Sequence, residues 1–361
     1  MIQLNGSYEE GGGALVRTAL ALSTLTGKDF KVTNIRSNRP EPGLKAQHLT
    51  AINALKEICQ AQTNVIELSS TELYFKPGKV KKGIYEIDIG TAGSITLLLQ
   101  ALILPCLFAP GKITLNITGG TCGKWQASVD YLQNILLPHL HRFAENIDLK
   151  ILKRGYYPKG GGQVRLTISP KLKIDDFKSG CRELQLKTAK IILTELGTLE
   201  QLKGVVNISS ELQGKEVAER IKTAAGGSLK EYPAPINIRI EYVNSLSPGG
   251  EILLWGIFSQ KGKVDFDNPV FLTGDALVEK GKSSEQIGKE AAEKLKQQIE
   301  SKAAVDEHLA DQLIQFMGLL PGSKIKGGKI SKHVYTNIYV AEKFLPVKFK
   351  VEENLISVEE Q

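Results

Sequence analysis

The 361-residue sequence predicts an α/β (α+β) protein built from three similar units, each a sheet backed by helices, with a smaller α/β domain inserted between the second and the third. Two observations support this class. A glycine-led amphipathic helix, a strand and a second helix follow one another twice, from Gly11 and from Gly90, and a looser copy lies near the C-terminal end. Residues of about 181–282 interrupt this pattern with strand and helix signals of their own.

The three copies share an order of elements. The first contains the glycine-led helix GGGALVRTALALSTLTG, a strand from Phe30 to Ile35 and the helix QHLTAINALKEICQ. The second contains GTAGSITLLLQALILPCLFAPG, the strand KITLNITGG and the helix ASVDYLQNILLPHLHRFA. The third contains the helices SSEQIGKEAAEKLKQQI and AVDEHLADQLIQFMGLL. These copies predict a core formed by residues 1–180 and 283–361.

The interrupting stretch, residues 181–282, contains a complete set of elements. VVNISS indicates a strand and GKEVAERIKTAA a helix, while INIRIEYV and EILLWGIF, joined by a turn at SPGG, indicate a hairpin. We therefore predict a small α/β domain inserted into a surface loop of the core.

The composition is typical of a globular protein, with 42% hydrophobic and 24% charged residues. The longest apolar stretch, Ile95 to Pro110, is interrupted by Gln100 and Pro105 and predicts a buried helix rather than a membrane span. The N-terminal residues MIQLNGSYEE contain no secretion signal, so we expect a cytoplasmic location. A net charge of +7 moderately favours a polyanionic partner.

The four cysteines are scattered along the chain without a CxxC pair, which argues against a zinc site or a disulfide framework. We interpret Cys59, Cys106, Cys122 and Cys181 as free thiols.

Phosphate binding, if it occurs, must use devices other than the common nucleotide motifs, because the chain has neither GxxxxGK[ST] nor GxGxxG. The glycine runs at 11–13, 90–93, 119–120 and 160–162 either present backbone N–H groups to an anion or form tight turns. The segment NIRSNRPEPGLKAQHL is more specific. Its side chains suit bidentate phosphate recognition from a proline-rigidified loop; they are Arg36, Arg39, Lys45, Gln47 and His48.

The histidines and the first two carboxylates differ in the roles that their sequence neighbours predict. Glu9 and Glu10 precede three glycines, where an acidic pair is more often a favourable charge at a helix start than a metal ligand. The LLPHLHRF segment predicts surface or capping roles for its two histidines. His308 shares a helix face with Asp311 and Gln312, and His333 precedes Thr336 and Asn337, a pair suited to a helix N-cap.

A series of motifs in one order then identifies a resemblance. EEGGGALVRTALALSTLTG, NIRSNRPEPGLKAQHLTA, DIGTAGSITLLLQ, RGYYPKGGGQV, AVDEHLADQL and SKHVYTNIYVAEKFLPV closely resemble the motifs of the RNA 3′-terminal phosphate cyclases. The resemblance spans Gly6 to about Val347. It implies three βαβαββ units similar to the C-terminal domain of a translation initiation factor, with a thioredoxin-like α/β domain inserted after the second.

The resemblance also implies a reaction with ATP and RNA 3′-phosphate ends as substrates. A histidine attacks the α-phosphate of ATP, AMP passes to the RNA 3′-phosphate, and the neighbouring 2′-OH closes a 2′,3′-cyclic phosphodiester. His333 occupies the position of the nucleophile, and a neutral imidazole needs no deprotonation to attack at pH 7.

Further roles are implied residue by residue. The ATP pocket would be lined by Gln100, His308, Leu309, Ala310, Asp311 and Gln312. The substrate phosphates would be bound by Arg17, Arg36, Arg39, Gln47 and His48. Glu10 matches a carboxylate associated with Mg²⁺ or Mn²⁺, which are hard cations that favour oxygen ligands.

The chain departs from the family pattern in one loop and near the first glycine run. GGTCGKWQASVD stands where the family commonly has GGTDxxWxPPxD, so Cys122, Gly123 and Lys124 replace usual residues. Ala14 likewise stands where Gln is usual.

Three alternatives remain open at this stage. A non-enzymatic ribosome-assembly relative shares the fold but lacks the nucleophilic histidine, which His333 supplies here. The enolpyruvyl transferases have similar repeats but lack the HLADQ and SKHxxTN segments. A basic RNA-binding module would require stacking aromatics, and only 6% of the residues are aromatic. Nothing in the sequence predicts the oligomeric state.

Overall fold

The computed structural model describes residues 1–173 and 188–361, and these form four four-stranded sheets covered by helices. The mixed α/β class is therefore confirmed. Comparison with the initiation-factor fold and with thioredoxin stays a prediction, as does the grouping of the sheets into repeats and an inserted domain.

The first sheet contains the N-terminal elements, which are β1 (Ile2–Asn5), α1 (Ala14–Thr26), β2 (Phe30–Thr33), α2 (Ala46–Cys59), β3 (Gln62–Thr63) and β4 (Leu73–Lys76). Its strand order is β1-β2-β4-β3, with β1 and β2 parallel and β4 antiparallel to both neighbours. The strand predicted to reach Ile35 ends at Thr33, because Asn34 and Arg36 have left-handed backbones with φ of +55°.

The second sheet has the same strand directions in the order β5-β6-β8-β7. Its elements are β5 (Gly83–Asp88), α3 (Ile95–Leu107), β6 (Ile113–Gly119), α4 (Val129–Tyr131), α5 (Leu137–Leu140), β7 (Ala144–Lys153) and β8 (Gly162–Pro170). A π-helical turn at Leu132–Leu136 joins α4 to α5. The surface or capping role predicted for His139 is wrong, since the apolar end of this helix buries its ring completely against Phe271.

The third sheet has the order β11-β10-β12-β13. Its elements are β10 (Thr198–Ser209), α6 (Val217–Ser228), β11 (Ile236–Val243), β12 (Gly250–Ser259), β13 (Val270–Leu277) and α7 (Ser284–Glu300), and the short β9 (Ile192–Leu193) precedes them. The predicted hairpin of β11 with β12 is wrong. The helix α6 crosses over to bring β11 parallel to β10, so β10 lies between the two strands.

The fourth sheet joins β9 to the C-terminal elements, which are α8 (Glu307–Met317), β14 (Lys324–Lys326), α9 (Lys332–Phe344), β15 (Val347–Glu352) and β16 (Leu355–Glu360). Read from β9, the order is β9-β14-β16-β15, with the first pair parallel and the others antiparallel. The connection from β9 to α8 contains the whole third sheet.

The helix α7, predicted as part of the third core unit, packs instead on β12, β13 and α6. Gly288 brings it so close to α6 that a Cβ there would lie 2.3 Å from the Ile221 carbonyl oxygen. These contacts favour an end of the inserted domain beyond 282, while its predicted start at 181 lies outside the described residues. The domain boundaries themselves stay a prediction.

The helix α1 packs on both α3 and α9, and α8 packs on α9. One continuous apolar core connects them with the four sheets. Within residues 1–173 and 188–361, no helix combines the length and the apolarity that crossing a membrane requires. Cys59, Cys106 and Cys122 are buried free thiols, as predicted, and Cys181 lies outside the described residues.

Candidate active site

A cavity of about 1340 Å³ lies where α1, α3, α8 and α9 meet the loops of the first and second sheets. All of the predicted site residues except Leu309 and Ala310 line it. They are Glu10, Arg17, Arg36, Arg39, Gln47, His48, Gln100, His308, Asp311, Gln312 and His333. Residues distant in sequence, from both ends of the chain, therefore share one cavity.

Leu309 and Ala310 are fully buried and do not line the cavity. Successive residues of a helix are rotated by about 100°, so a helix that presents His308, Asp311 and Gln312 to a cavity must turn the two residues between them toward the core. Their side chains are core residues.

Glu10 connects His333 to the basic loop. Its Oε2 lies 2.8 Å from Nε2 of His333, and its Oε1 pairs with the guanidinium of Arg39. This carboxylate therefore ties the start of α1 and the basic loop to the first turn of α9.

The pKa of His333 is lowered to about 4, first by burial and then by the nearby charges of Arg17 and Arg39. The imidazole is therefore neutral near pH 7. Its side chain is 38% exposed, so it remains accessible from the cavity.

Arg17 lies in the wall of the cavity, where its Nε donates to Oε1 of Gln100 at 2.7 Å. Burial lowers its pKa to about 10, and the charge of Asp311 opposes that shift. Burial raises the pKa of Asp311 to about 7, against the opposing charges of His308 and Arg17. The guanidinium thus stays charged while the carboxyl is partly protonated near pH 7.

His48, a residue of the cavity lining, has a buried ring nitrogen without a hydrogen-bond partner in the described part of the chain. Its Nδ1 accepts the backbone N–H of Lys45 at 2.9 Å, while its Nε2 is buried without a partner among the described residues. Burial, followed by the charge of Arg17, lowers the pKa of His48 to about 3. In a neutral ring whose Nδ1 accepts, the proton is on Nε2. That N–H suits an anionic oxygen.

Asn337 was not predicted as a site residue, and the helix start predicted at Thr336 and Asn337 is wrong. The helix begins at Lys332 after Ser331, so Asn337 lies one turn beyond His333 on the same face. Its Oδ1 accepts the Thr18 hydroxyl at 2.8 Å, and its Nδ2 donates to the Asp311 carbonyl at 2.9 Å. Asn337 therefore fixes α9 against α1 and α8.

Asp306 is a second residue that the sequence analysis missed. Its buried carboxylate accepts the Tyr131 hydroxyl and the Thr273 hydroxyl, each at 2.6 Å, and the Leu309 N–H at 2.8 Å. Asp306 thus caps α8. It also joins α4, through Tyr131, to β13, through Thr273. The only signal for this role in the sequence is an Asp two residues before His308.

The divergent loop at Cys122–Lys124 also lines the cavity. The thiol of Cys122 is buried, and Lys124 Nζ lies 2.7 Å from Oε1 of Glu279, which follows β13. In this chain the loop therefore makes a salt bridge to the segment that follows the third sheet.

The side chains of residues 1–173 and 188–361 include no group of three or more His, Cys, Asp or Glu residues placed to hold a metal ion. Glu10 contributes a single carboxylate, and Arg39 and His333 already occupy both of its oxygens. The described side chains alone therefore do not form a metal site.

Comparison with known proteins assigns this architecture to one family. The family model described as RNA 3′-terminal phosphate cyclase matches residues 8–351. Relatives named RNA 3′-terminal phosphate cyclase include one from Methanosarcina acetivorans, 42% identical over 98% of this chain and 97% of the relative. Others are 40% identical, from Archaeoglobus fulgidus over 99% and 100% and from Pyrococcus furiosus over 97% and 95%.

Proposed function

The chain belongs to the RNA 3′-terminal phosphate cyclase family and is an enzyme of that class, and from this premise we propose that it acts through a covalent histidine–AMP intermediate. ATP and cytoplasmic RNA 3′-phosphate ends are the proposed substrates, and a 2′,3′-cyclic phosphodiester is the product. The observation that carries the proposal is the neutral, accessible His333 held by Glu10 within a cavity rich in arginine.

The first step uses the lone pair of His333 Nε2. It forms a bond to the α-phosphorus of ATP while the bond to the bridging oxygen breaks, and pyrophosphate leaves with that electron pair. The reacting tautomer carries its proton on Nδ1, so the contact between Nε2 and Glu10 is exchanged for the substrate. Burial and the neighbouring guanidinium groups favour the neutral ring that this step requires.

The next two steps transfer and then release AMP. An oxygen of the RNA 3′-phosphate attacks the phosphorus of the adenylate, and the P–N bond breaks to restore the neutral imidazole. The 2′-OH then attacks the 3′-phosphorus while its proton passes to water, and AMP leaves with the electron pair of the broken P–O bond. The covalent intermediate divides one difficult displacement into steps with better leaving groups.

The phosphate groups would be bound by the basic wall of the cavity. Arg17, Arg36 and Arg39 supply guanidinium forks, His48 supplies its free Nε2–H, and Gln47 lies beside it. This arrangement would stabilise negative charge at the α-phosphate and at the RNA 3′-phosphate.

The nucleoside of ATP would lie toward α8. His308 is exposed in the cavity, with its ring 5.8 Å from that of Tyr131 in an edge-to-face arrangement, and Gln100, Asp311 and Gln312 complete the polar lining. Leu309 and Ala310 would contribute only through their backbone and through packing. Mg²⁺ or Mn²⁺ near Glu10 stays a prediction, and no step above depends on it.

The identity of the RNA end tests the proposal. RNA with a 3′-phosphate should yield a phosphatase-resistant cyclic end and release AMP. The same RNA with a terminal 2′-deoxy, 3′-phosphate nucleotide should stop as an adenylated end, because it lacks the internal nucleophile. A 3′-hydroxyl RNA should remain unchanged. If the 3′-phosphate stays sensitive to phosphatase after incubation with ATP and a divalent metal, the proposal is wrong.

A second prediction concerns Asp306. The variant Thr273→Val removes one hydrogen bond to its buried carboxylate without touching the cavity lining. We expect the KM for ATP to rise about fivefold, because the first turn of α8 loses a fixed position, and the free energy of unfolding to fall by about 1.5–3 kcal/mol.

The matched control is Thr198→Val, an exposed threonine at the start of β10. This variant should change neither the KM for ATP nor the free energy of unfolding. An unchanged KM for ATP in a destabilised Thr273→Val variant would restrict Asp306 to a purely structural role.

A further inference from the structure

Two large aromatic side chains at the cavity are almost fully exposed. Trp125 is 95% exposed and Tyr157 is 81% exposed, and both line the same cavity as His333. A covered aromatic side chain of this size buries roughly 150–250 Å², and clustered apolar groups left open to solvent mark contact surfaces. The proposed chemistry at His333 uses neither ring.

The loops that carry the two rings are anchored to each other and to the third sheet. The N–H of Thr121 donates to the carbonyl of Gly155 at 2.9 Å, and the Thr121 hydroxyl accepts the Gly155 N–H at 3.2 Å. On the other side, the N–H of Lys159 donates to the Ser247 hydroxyl at 3.2 Å. These bonds fix the backbone on both sides of Tyr157 and at the start of the loop that carries Trp125, which limits the backbone entropy lost when a ligand binds.

Lysine residues line the same cavity as the rings. Lys124 is adjacent to Trp125 and pairs with Glu279, and the exposed Lys280 also lines the cavity. Aromatic rings beside cations match the chemistry of a single-stranded nucleic acid, which offers flat bases and phosphates at regular intervals.

We propose that Trp125 and Tyr157 form a stacking platform for the bases that precede the terminal nucleotide of the RNA, with Lys124 and Lys280 near the intervening phosphates. The inference rests on the proposed function, in which the terminal phosphate lies at the arginine wall and the rest of the strand leaves through the mouth of the cavity. Stacking tolerates every base, so the platform adds affinity for single-stranded ends without selecting a sequence.

The test measures the KM for 3′-phosphorylated oligoribonucleotides of one to five nucleotides. Trp125→Ala and Tyr157→Ala should each raise the KM for the pentanucleotide about tenfold, and the rise should grow with the number of nucleotides before the terminal one. An abasic residue at the stacked position should weaken the wild type similarly and should add little to the variant. The matched control is Phe266→Ala, which removes a 90% exposed ring that does not line the cavity.

Fluorescence gives an independent readout. The chain has two tryptophans, and the other, Trp255, is only 4% exposed. Adding 3′-phosphorylated RNA without ATP should therefore quench mainly the emission of Trp125. The variant Trp125→Phe should lose this response while keeping most of the affinity, because a ring remains.

Two results would overturn the platform. The first is that Trp125→Ala and Tyr157→Ala have the KM of the wild type for oligonucleotides of every length. The second is that these variants raise only the KM for ATP, which would indicate that the rings bind adenine. Self-adenylation of the wild type by α-labelled ATP needs no RNA and tests the proposed function separately. If label is incorporated while the variants bind long RNA normally, only the platform is wrong.

Discussion

His333→Ala should abolish the transfer of label from α-labelled ATP to the protein, with a loss of at least about 10⁴-fold in cyclisation. The substitution removes the atom that is proposed to form the bond to phosphorus. Among the described residues, the other nitrogen beside Glu10 belongs to the Arg39 guanidinium, which is protonated and is not a nucleophile. The label on the wild type should be acid-labile, as expected of a phosphoramidate. Denaturing gels after brief incubation with labelled ATP measure this directly.

The matched control is His141→Ala, because His141 is exposed and does not line the cavity. It should be labelled at the wild-type rate. The side chain of His333 is partly exposed, so the thermal midpoint of His333→Ala should stay within a few degrees of the wild type. A folded His333→Ala protein that still acquires acid-labile label would assign the nucleophile elsewhere.

The fold class could be predicted because glycine-led helices and alternating strands are local signals. The pairing of strands was harder to predict from the sequence. INIRIEYV and EILLWGIF have the alternating pattern and the intervening turn that are typical of a hairpin. In the structure, however, β11 pairs with β10, and the helix α6 connects these two parallel strands. Long-range register depends on which apolar faces meet in the core, and a short loop alone does not determine it. The same reason explains why the contacts of α7 with the third sheet were missed.

Site residues could be predicted where a motif indicates the chemistry of its side chains. Residues that position neighbouring elements of the fold could not. The arginines and His333 were predicted because the motifs that contain them indicate phosphate chemistry, and the structure places them around one cavity. Asn337 joins neighbouring helices, and Asp306 joins a helix to a strand of the third sheet. One Asn or Asp in a sequence does not reveal such partners. Leu309 and Ala310 were assigned to the ATP pocket because they lie inside a motif, although the rotation of the helix turns both toward the core.

Gly13→Ala should lower kcat/KM about 100-fold, equivalent to about 2.7 kcal/mol of transition-state stabilisation. The backbone of Gly13 has φ −77° and ψ −13°, a conformation that alanine adopts freely. The loss of activity comes from a steric clash of the added methyl group, because a Cβ there would lie 2.3 Å from Nε2 of His48 and 2.8 Å from a terminal nitrogen of Arg17. Neither group can retreat easily, since both are buried and hydrogen-bonded behind.

The matched control is Gly227→Ala in α6, where an added Cβ would have no atom of the described residues within 4 Å. It should leave activity unchanged and stabilise the helix by about 1 kcal/mol. The double variant Gly13→Ala/His48→Ala separates sterics from chemistry. Removing the ring should restore the thermal midpoint lost in Gly13→Ala, while activity stays low because the donor of His48 is gone. If Gly13→Ala alone retains activity within twofold of the wild type, His48 and Arg17 do not meet the substrate phosphates from the positions described above.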